Sequence, residues 1–174
     1  MPPTDKNTSP AYAFGRDELA AERLGILHQI FSPASLELVE EACQDRQLRL
    51  ALDLGCGPGY TTAMLAQALP PTRLVGLDLG QNFLAMARRN LAGATFLEHD
   101  LCQIPFPETP ADLLYARYVL SHLQDVPKRL REWTSQLNVG GLLLVEENEW
   151  LETSEPIFKR YLELVAEVLA SQGK

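Results

Sequence analysis

Residues 48–60 read LRLALDLGCGPGY, and this stretch decides how the chain is organised. An apolar run of strand character, Leu48-Arg49-Leu50-Ala51-Leu52, ends at Asp53 and breaks into Gly55, Gly57 and Gly59, after which a helix begins at once. Strand, glycine loop and helix follow in that order. Glycine suits such a loop because it reaches positive φ without strain and lets a ligand approach the main chain with no Cβ in the way. In open α/β sheets a loop of this kind lies at the carboxyl ends of the strands, where ligands bind at the topological switch point.

Downstream, the chain alternates. Residues 61–69 (TTAMLAQAL) form a short helix stopped by Pro70-Pro71, since proline cannot donate the next helical hydrogen bond. Strands are expected at 73–78, 94–97, 112–116 and 142–146. Helices are expected at 81–91, at 126–137 with Asp125 as cap, and at 155–170. Gly140-Gly141 is read as the turn into the last strand, and Gly93 as a helix stop. Upstream, apolar residues at helical spacing predict a helix over 16–31, and Ser32-Pro33 predicts the start of a second one running to about residue 46. Residues 1–10 carry the composition of a disordered leader. Strands alternating with helices predict a doubly wound, mostly parallel α/β sheet of Rossmann-like type with a helical lead-in. The division expected is a leader and lead-in over 1–46 and a core over 47–174.

Composition narrows the function. The 174 residues suit one domain, and 46% hydrophobic and 22% charged residues are ordinary for a globular protein. A formal net charge of −8 argues against nucleic acid, whose phosphates are bound by clustered Lys and Arg. The short basic clusters Arg88-Arg89 and Lys128-Arg129 with Arg131 fit solvated helix faces. No apolar segment is long enough to span a bilayer and no signal peptide is visible. Cys43, Cys56 and Cys102 form no CxxC pair, so no metal site is expected and a reducing, cytoplasmic home is.

The spacing of the glycines bears on the ligand. A dinucleotide loop is GxGxxG, whereas Gly55-Cys56-Gly57-Pro58-Gly59-Tyr60 has Tyr in the sixth place. Asp78 follows Gly59 by 78 − 59 = 19 positions, at the end of the second strand, where a carboxylate can accept from both hydroxyls of a ribose.

The stretches LDLGCGPGY, VGLDLG, EHDL (98–101), DLLYARYVLSHLQD (112–125) and GGLLLVEE (140–147) together resemble the class I S-adenosylmethionine-dependent methyltransferases. The closest likeness is to the small-molecule type that includes the quinone-biosynthesis enzymes. That resemblance implies S-adenosylmethionine as cofactor and a small-molecule methyl acceptor. It implies that Asp53, Gly55, Gly57 and Gly59 lie beside the methionine and ribose portions and that Asp78 takes the ribose diol. Leu79 would pack on the adenine and Asp100 accept from its amino group, with Leu101 alongside. Arg117 would line the methionine end, and Tyr12 would belong to a segment folding over the cofactor. Two of these carboxylates have plainer alternatives: Asp53 as an acceptor of loop main-chain N–H groups, and Asp100 as a turn former.

Methyl transfer needs a base only when the accepting atom carries a proton. His122, after the fourth strand, is the candidate base; His28 reads as a core residue and His99 as facing solvent or adenine. Cys56 has no basic partner nearby in sequence and reads as a small loop filler rather than a nucleophile. No catalytic residue is assigned on this evidence.

The family sheet normally closes with an antiparallel hairpin, strands six and seven, for which this sequence offers no segment. The fifth strand is then an edge, which implies either a truncated form of the chain or cover by a second copy or another subunit. The alternatives to a methyltransferase are a non-catalytic S-adenosylmethionine-binding module, a truncated partner subunit and, more distantly, an NAD(P)-dependent oxidoreductase.

Overall fold

Five parallel strands make one sheet: β1 (Leu50–Leu54), β2 (Arg73–Asp78), β3 (Thr95–Glu98), β4 (Ala111–Arg117) and β5 (Leu137–Glu146). Their spatial order is β3-β2-β1-β4-β5. The computed structural model describes residues 18–71, 73–148 and 152–171; the expected leader and Tyr12 lie outside them. The chain steps outward from β1 to β3 and then returns to the other side of β1, so the order reverses between β1 and β4. That reversal is the switch point at which such sheets open a crevice. The doubly wound fold expected from the sequence is the fold observed.

Period-two alternation divides the strand residues between two cores. Leu52, Leu54, Val75, Leu77, Leu114 and Ala116 point to one face, where Phe106 and Trp133 cover them. Trp133 belongs to α4 (Val126–Thr134), and its indole N–H donates to the Leu101 carbonyl at 3.0 Å. Asp125 caps this helix as expected, its side chain accepting from the Lys128 N–H at 3.3 Å. On the other face Ala51, Leu74, Leu113 and Tyr115 meet Met64 and Leu65 of α2 (Tyr60–Ala68) and Val39 and Cys43 of α1 (Glu18–Cys43). Next to these, α3 (Gln81–Asn90) packs Leu84 and Ala87 against Phe96 and Cys56.

Helix α1 corrects the expectation of two helices divided at Ser32-Pro33: it is one helix through Pro33. Proline removes one donor from the ladder, but Pro33 is exposed, and the turns on both sides bury the same stripe. Ala20 and Ala21 pack against Phe83 of α3, and Val39 and Cys43 against the sheet, so tertiary burial outweighs the local stop signal.

Strand β5 is also longer than expected. Ala111 pairs with Leu137 while Leu113 pairs with Leu142, so residues 138–141 form a bulge inside the strand rather than a turn before it. Gly140 adopts φ 81 there, and the Asn138 amide reaches Asp112 Oδ1 at 2.7 Å. β1 starts at Leu50 and contains Asp53, instead of starting at Leu48 and ending before it. Among the described residues β5 pairs with β4 alone and is an edge. The last helix, α5 (Pro156–Ser171), leaves Ile157, Phe158, Tyr161, Leu164 and Val168 exposed.

Candidate active site

The glycine loop is strapped to the neighbouring strand. Gly55 and Cys56 both donate their N–H groups to the Leu77 carbonyl, at 2.8 and 3.0 Å. Gly55 takes φ 72, and a Cβ there would lie 2.6 Å from Val119 Cγ2, so both conformation and space demand glycine. Gly57 takes φ 51 under the side chain of Leu24, and Gly59, at φ 86, opens α2 without a side-chain cap.

Asp53 lies beneath the loop, 1% exposed, with Oδ2 accepting from the hydroxyls of Thr61 and Thr62, each at 2.6 Å. These are side-chain donors from the first turn of α2 and not the loop main-chain N–H groups considered from the sequence. Burial raises the carboxyl to a pKa of about 6 against the pull of the two hydroxyls and of Arg117. Asp78 reaches across from the end of β2: Oδ2 accepts the Gly57 N–H at 2.9 Å and Oδ1 the Gly80 N–H at 2.6 Å. Leu79 beside it is 41% exposed, an apolar surface at the mouth of the crevice.

The remaining expected residues divide. Asp100 closes its own turn, accepting from the Cys102 N–H at 2.9 Å. Leu101 is buried in the α4-side core. His99 stays with its own loop, its Nε2 2.9 Å from the Gln103 carbonyl. His122 ends a single 3-10 turn, Leu120–His122, whose start is held by Glu147: one carboxylate oxygen accepts the Val119 and Leu120 N–H groups, both at 2.5 Å. Cys56 is 3% exposed, and burial drives its thiol far above the ordinary range, which fits a loop filler. Of the basic clusters, Arg88 donates to the Phe96 carbonyl at 2.6 Å and Arg129 to the Cys102 carbonyl at 2.7 Å. Their role is local.

Arg117 gathers Ser35, Tyr118 and Glu146, which the sequence reading left out, and His28, which it read as a core residue. Its guanidinium donates to Ser35 Oγ and to His28 Nδ1, each at 3.0 Å, and lies 5.7 Å from the centre of the Tyr118 ring. Ser35 in turn donates to Glu146 Oε2 at 2.8 Å, and Tyr115 donates to the other oxygen of Glu146. His28 stacks on Tyr60, ring centres 5.7 Å apart. Helix α1 therefore spans from α3, past the glycine loop, to the ends of β4 and β5. The signal was present: Ser35, Val39 and Cys43 recur every fourth residue, and His28 stands seven before Ser35 on the same face. Dividing the helix at Pro33 hid that register. Tyr118 has φ 58, a left-handed conformation costly for a non-glycine residue and concentrated at functional sites.

An open depression of about 980 Å³ lies between the start of α1, Tyr60 and α3, and its lining contains none of the expected site residues. Among the described residues no group of His, Cys, Asp and Glu could hold a metal ion, and no helix is long and apolar enough to cross a membrane.

Known proteins are similar to this chain. Trans-aconitate 2-methyltransferase of Methylobacterium nodulans is 40% identical over 101 residues, which are 58% of this chain and 39% of that protein. The enzyme of the same name from Yersinia pestis is 42% identical over 94 residues, 54% of this chain and 36% of that protein. The chain thus spans less than half the length of the curated relatives it matches. A solved S-adenosylmethionine-dependent methyltransferase from Mesorhizobium loti is 31% identical, with a TM-score of 0.51, over 57% of this chain and 46% of that one. A putative S-adenosylmethionine-dependent methyltransferase from Methanococcus maripaludis shares the fold at 22% identity and a TM-score of 0.65, over 80% of this chain and 67% of that one. The profile of the family described as "Methyltransferase domain" matches residues 52–145, more than half of the sequence, and the chain belongs to that family, with the class I methyltransferase fold.

Proposed function

We propose that this chain binds S-adenosylmethionine and transfers its methyl group to a small-molecule acceptor. The observation that carries the reading is the bridge from Asp78 to the Gly57 N–H, which sets an acidic side chain at the end of β2 against a positive-φ glycine loop at the end of β1. A cradle without Cβ atoms, next to a carboxylate with about four acceptor sites, fits a ribose and a thioether chain. When bound there, S-adenosylmethionine would supply a methyl carbon on a sulfonium, open to in-line displacement by the acceptor's lone pair with the thioether as leaving group.

The chain's own residues position and exclude. Gly55, Gly57 and Gly59 admit the cofactor, Asp53 steadies the loop from below through Thr61 and Thr62, and Asp78 holds the ribose. Leu79 offers an apolar face to the adenine, with Asp100 and Leu101 on the strand-three side. Arg117 ends β4, where the methionine end of the cofactor would face the acceptor. Helix α1 covers the loop and keeps water from it, so proximity and orientation supply much of the acceleration. His122 is the residue to test as a base where the acceptor is protonated.

Trans-aconitate is the first acceptor to try, on the strength of the curated relatives' name. An acidic chain disfavours nucleic acid as acceptor, and its free cysteines suit the cytoplasm. The β5 edge and the exposed stripe of α5 favour cover by a second copy, which sedimentation would reveal as a dimer. Calorimetric titration with S-adenosylhomocysteine, S-adenosylmethionine and NAD tests the central reading: the first two bind and NAD does not. Binding of NAD alone would overturn it.

A further inference from the structure

We infer that Arg117, held by His28 and Ser35 of α1, is the carboxylate-binding group of the acceptor subsite, so that the acceptor is a carboxylic acid anion; this rests on the methyltransferase reading above. Arg117 ends β4 at the switch point, on the side of the crevice away from Asp78 and next to β5. Both groups to which its guanidinium donates are neutral. Ser35 gives its proton to Glu146 and so turns a lone pair to the arginine. Burial, and then the arginine itself, holds the pKa of His28 down, so its Nδ1 accepts and its Nε2 keeps the proton as a further donor.

The nearby carboxylates reach the arginine only indirectly, Glu146 through Ser35 and Asp53 by its field alone. Glu146 takes the hydroxyls of Tyr115 and Ser35, and Glu147 takes the N–H groups of Val119 and Leu120. The result is a half-buried guanidinium whose direct hydrogen-bond partners are neutral, and to which no carboxylate among the described residues bonds directly. A cation in that position gains most from an anion that accepts two parallel N–H bonds, which is what a carboxylate does. The chain's net charge of −8 repels anions at long range, so an anionic acceptor needs a local cation to hold it. An ionised carboxylate also carries no proton on its accepting oxygen, and its methylation asks no base of the site.

A carboxylate could come from two sources, the acceptor or the amino-acid end of the cofactor, and the experiment separates them. Calorimetry first measures S-adenosylhomocysteine and 5′-methylthioadenosine, which lacks the carboxylate, on the full chain. It then measures trans-aconitate, citrate, succinate and acetate on the S-adenosylhomocysteine-loaded protein. If wild type fails to bind S-adenosylhomocysteine, the methyltransferase reading falls and this inference with it. If it binds, at least one carboxylate is expected to bind the loaded protein, and Arg117→Gln is expected to weaken that carboxylate tenfold to a hundredfold while S-adenosylhomocysteine changes less than threefold. Arg117→Lys keeps the charge without the fork and should fall between; Ser35→Ala should weaken the carboxylate about threefold to tenfold. These two variants give the same reading if Arg117→Gln does not fold. The inference is overturned if no carboxylate binds the loaded wild type, or if Arg117→Gln leaves carboxylate affinity unchanged. It is equally overturned if the substitution weakens S-adenosylhomocysteine but not 5′-methylthioadenosine, which would give Arg117 to the cofactor.

Discussion

Asp78, at the end of β2, holds the main-chain N–H of Gly57 at 2.9 Å, so the acidic residue and the glycine loop are two sides of one device. The second oxygen holds Gly80 at 2.6 Å and orients the carboxylate toward the crevice. A hydrogen bond to a charged group contributes about 1.5–3 kcal/mol. Removing the group therefore loosens the loop and, on the proposed function, deletes the ribose partner together.

Asp78→Ala should weaken S-adenosylhomocysteine by roughly tenfold to a hundredfold, read by calorimetry. Asp78→Asn keeps an acceptor for one N–H and should lose less. Wild-type affinity in both variants would mean that the ribose sits elsewhere.

The Gly55 site predicts a suppressor. Gly55→Ala sets a Cβ 2.6 Å from Val119 Cγ2 and asks an alanine to hold φ 72. The left-handed conformation costs about 1–2 kcal/mol and the overpacking about 1–3 kcal/mol more. Thermal melting should show Gly55→Ala clearly destabilised, and Val119→Ala in the same chain should recover the overpacking part while leaving the backbone part. A double variant no better than Gly55→Ala alone would show that φ carries the whole effect.

Much of this was legible in LRLALDLGCGPGY, because a strand, glycines at alternate positions and a helix leave few other folds open. The place of Asp78 at the end of the second strand was legible as well, whereas its bond to the Gly57 N–H was not. The Arg117 cluster was not. Its partners lie 89 and 82 residues away, on a helix whose continuity was masked by the strongest local stop signal in the lead-in. Propensity reads Ser-Pro as a helix start. What overrides it is burial of Ala20, Ser35, Val39 and Cys43 along one line, which only the packed structure displays. The bulge in β5 was hidden in the same way, since Gly140-Gly141 serves a turn and a bulge equally well.

Pro33 itself is therefore a cost that α1 bears. A proline in a helix interior is about 3 kcal/mol worse than alanine, and its side chain here is exposed. Pro33→Ala should raise the unfolding free energy by about 1–3 kcal/mol, with part of the gain offset by a freer unfolded chain. Denaturant titration checks it. A loss of stability would show that the proline helps to set the path of α1 that brings Ser35 onto Arg117.

Asp53 makes stability depend on pH in a direction unusual for a carboxylate. Its folded pKa, raised from 3.8 to about 6 by burial, exceeds the unfolded value, so the folded state binds the proton more tightly. The contribution is fully present below the unfolded pKa and is lost as pH rises through about 6. At 1.36 kcal/mol per unit this amounts to roughly 3 kcal/mol between pH 3.5 and pH 7.5. Other carboxylates add their own slopes, Glu147 in the same direction because burial raises it and Asp112 in the other because it is lowered. The difference between wild type and Asp53→Asn isolates the one group. Asparagine is neutral at every pH and can still accept from Thr61 or Thr62, so the variant should gain on wild type by about 2–2.5 kcal/mol as pH rises from 4 to 7.5. Parallel curves for the two proteins across that range would mean that Asp53 ionises in the fold as readily as in the open chain, and that the two threonine hydroxyls compensate its burial in full.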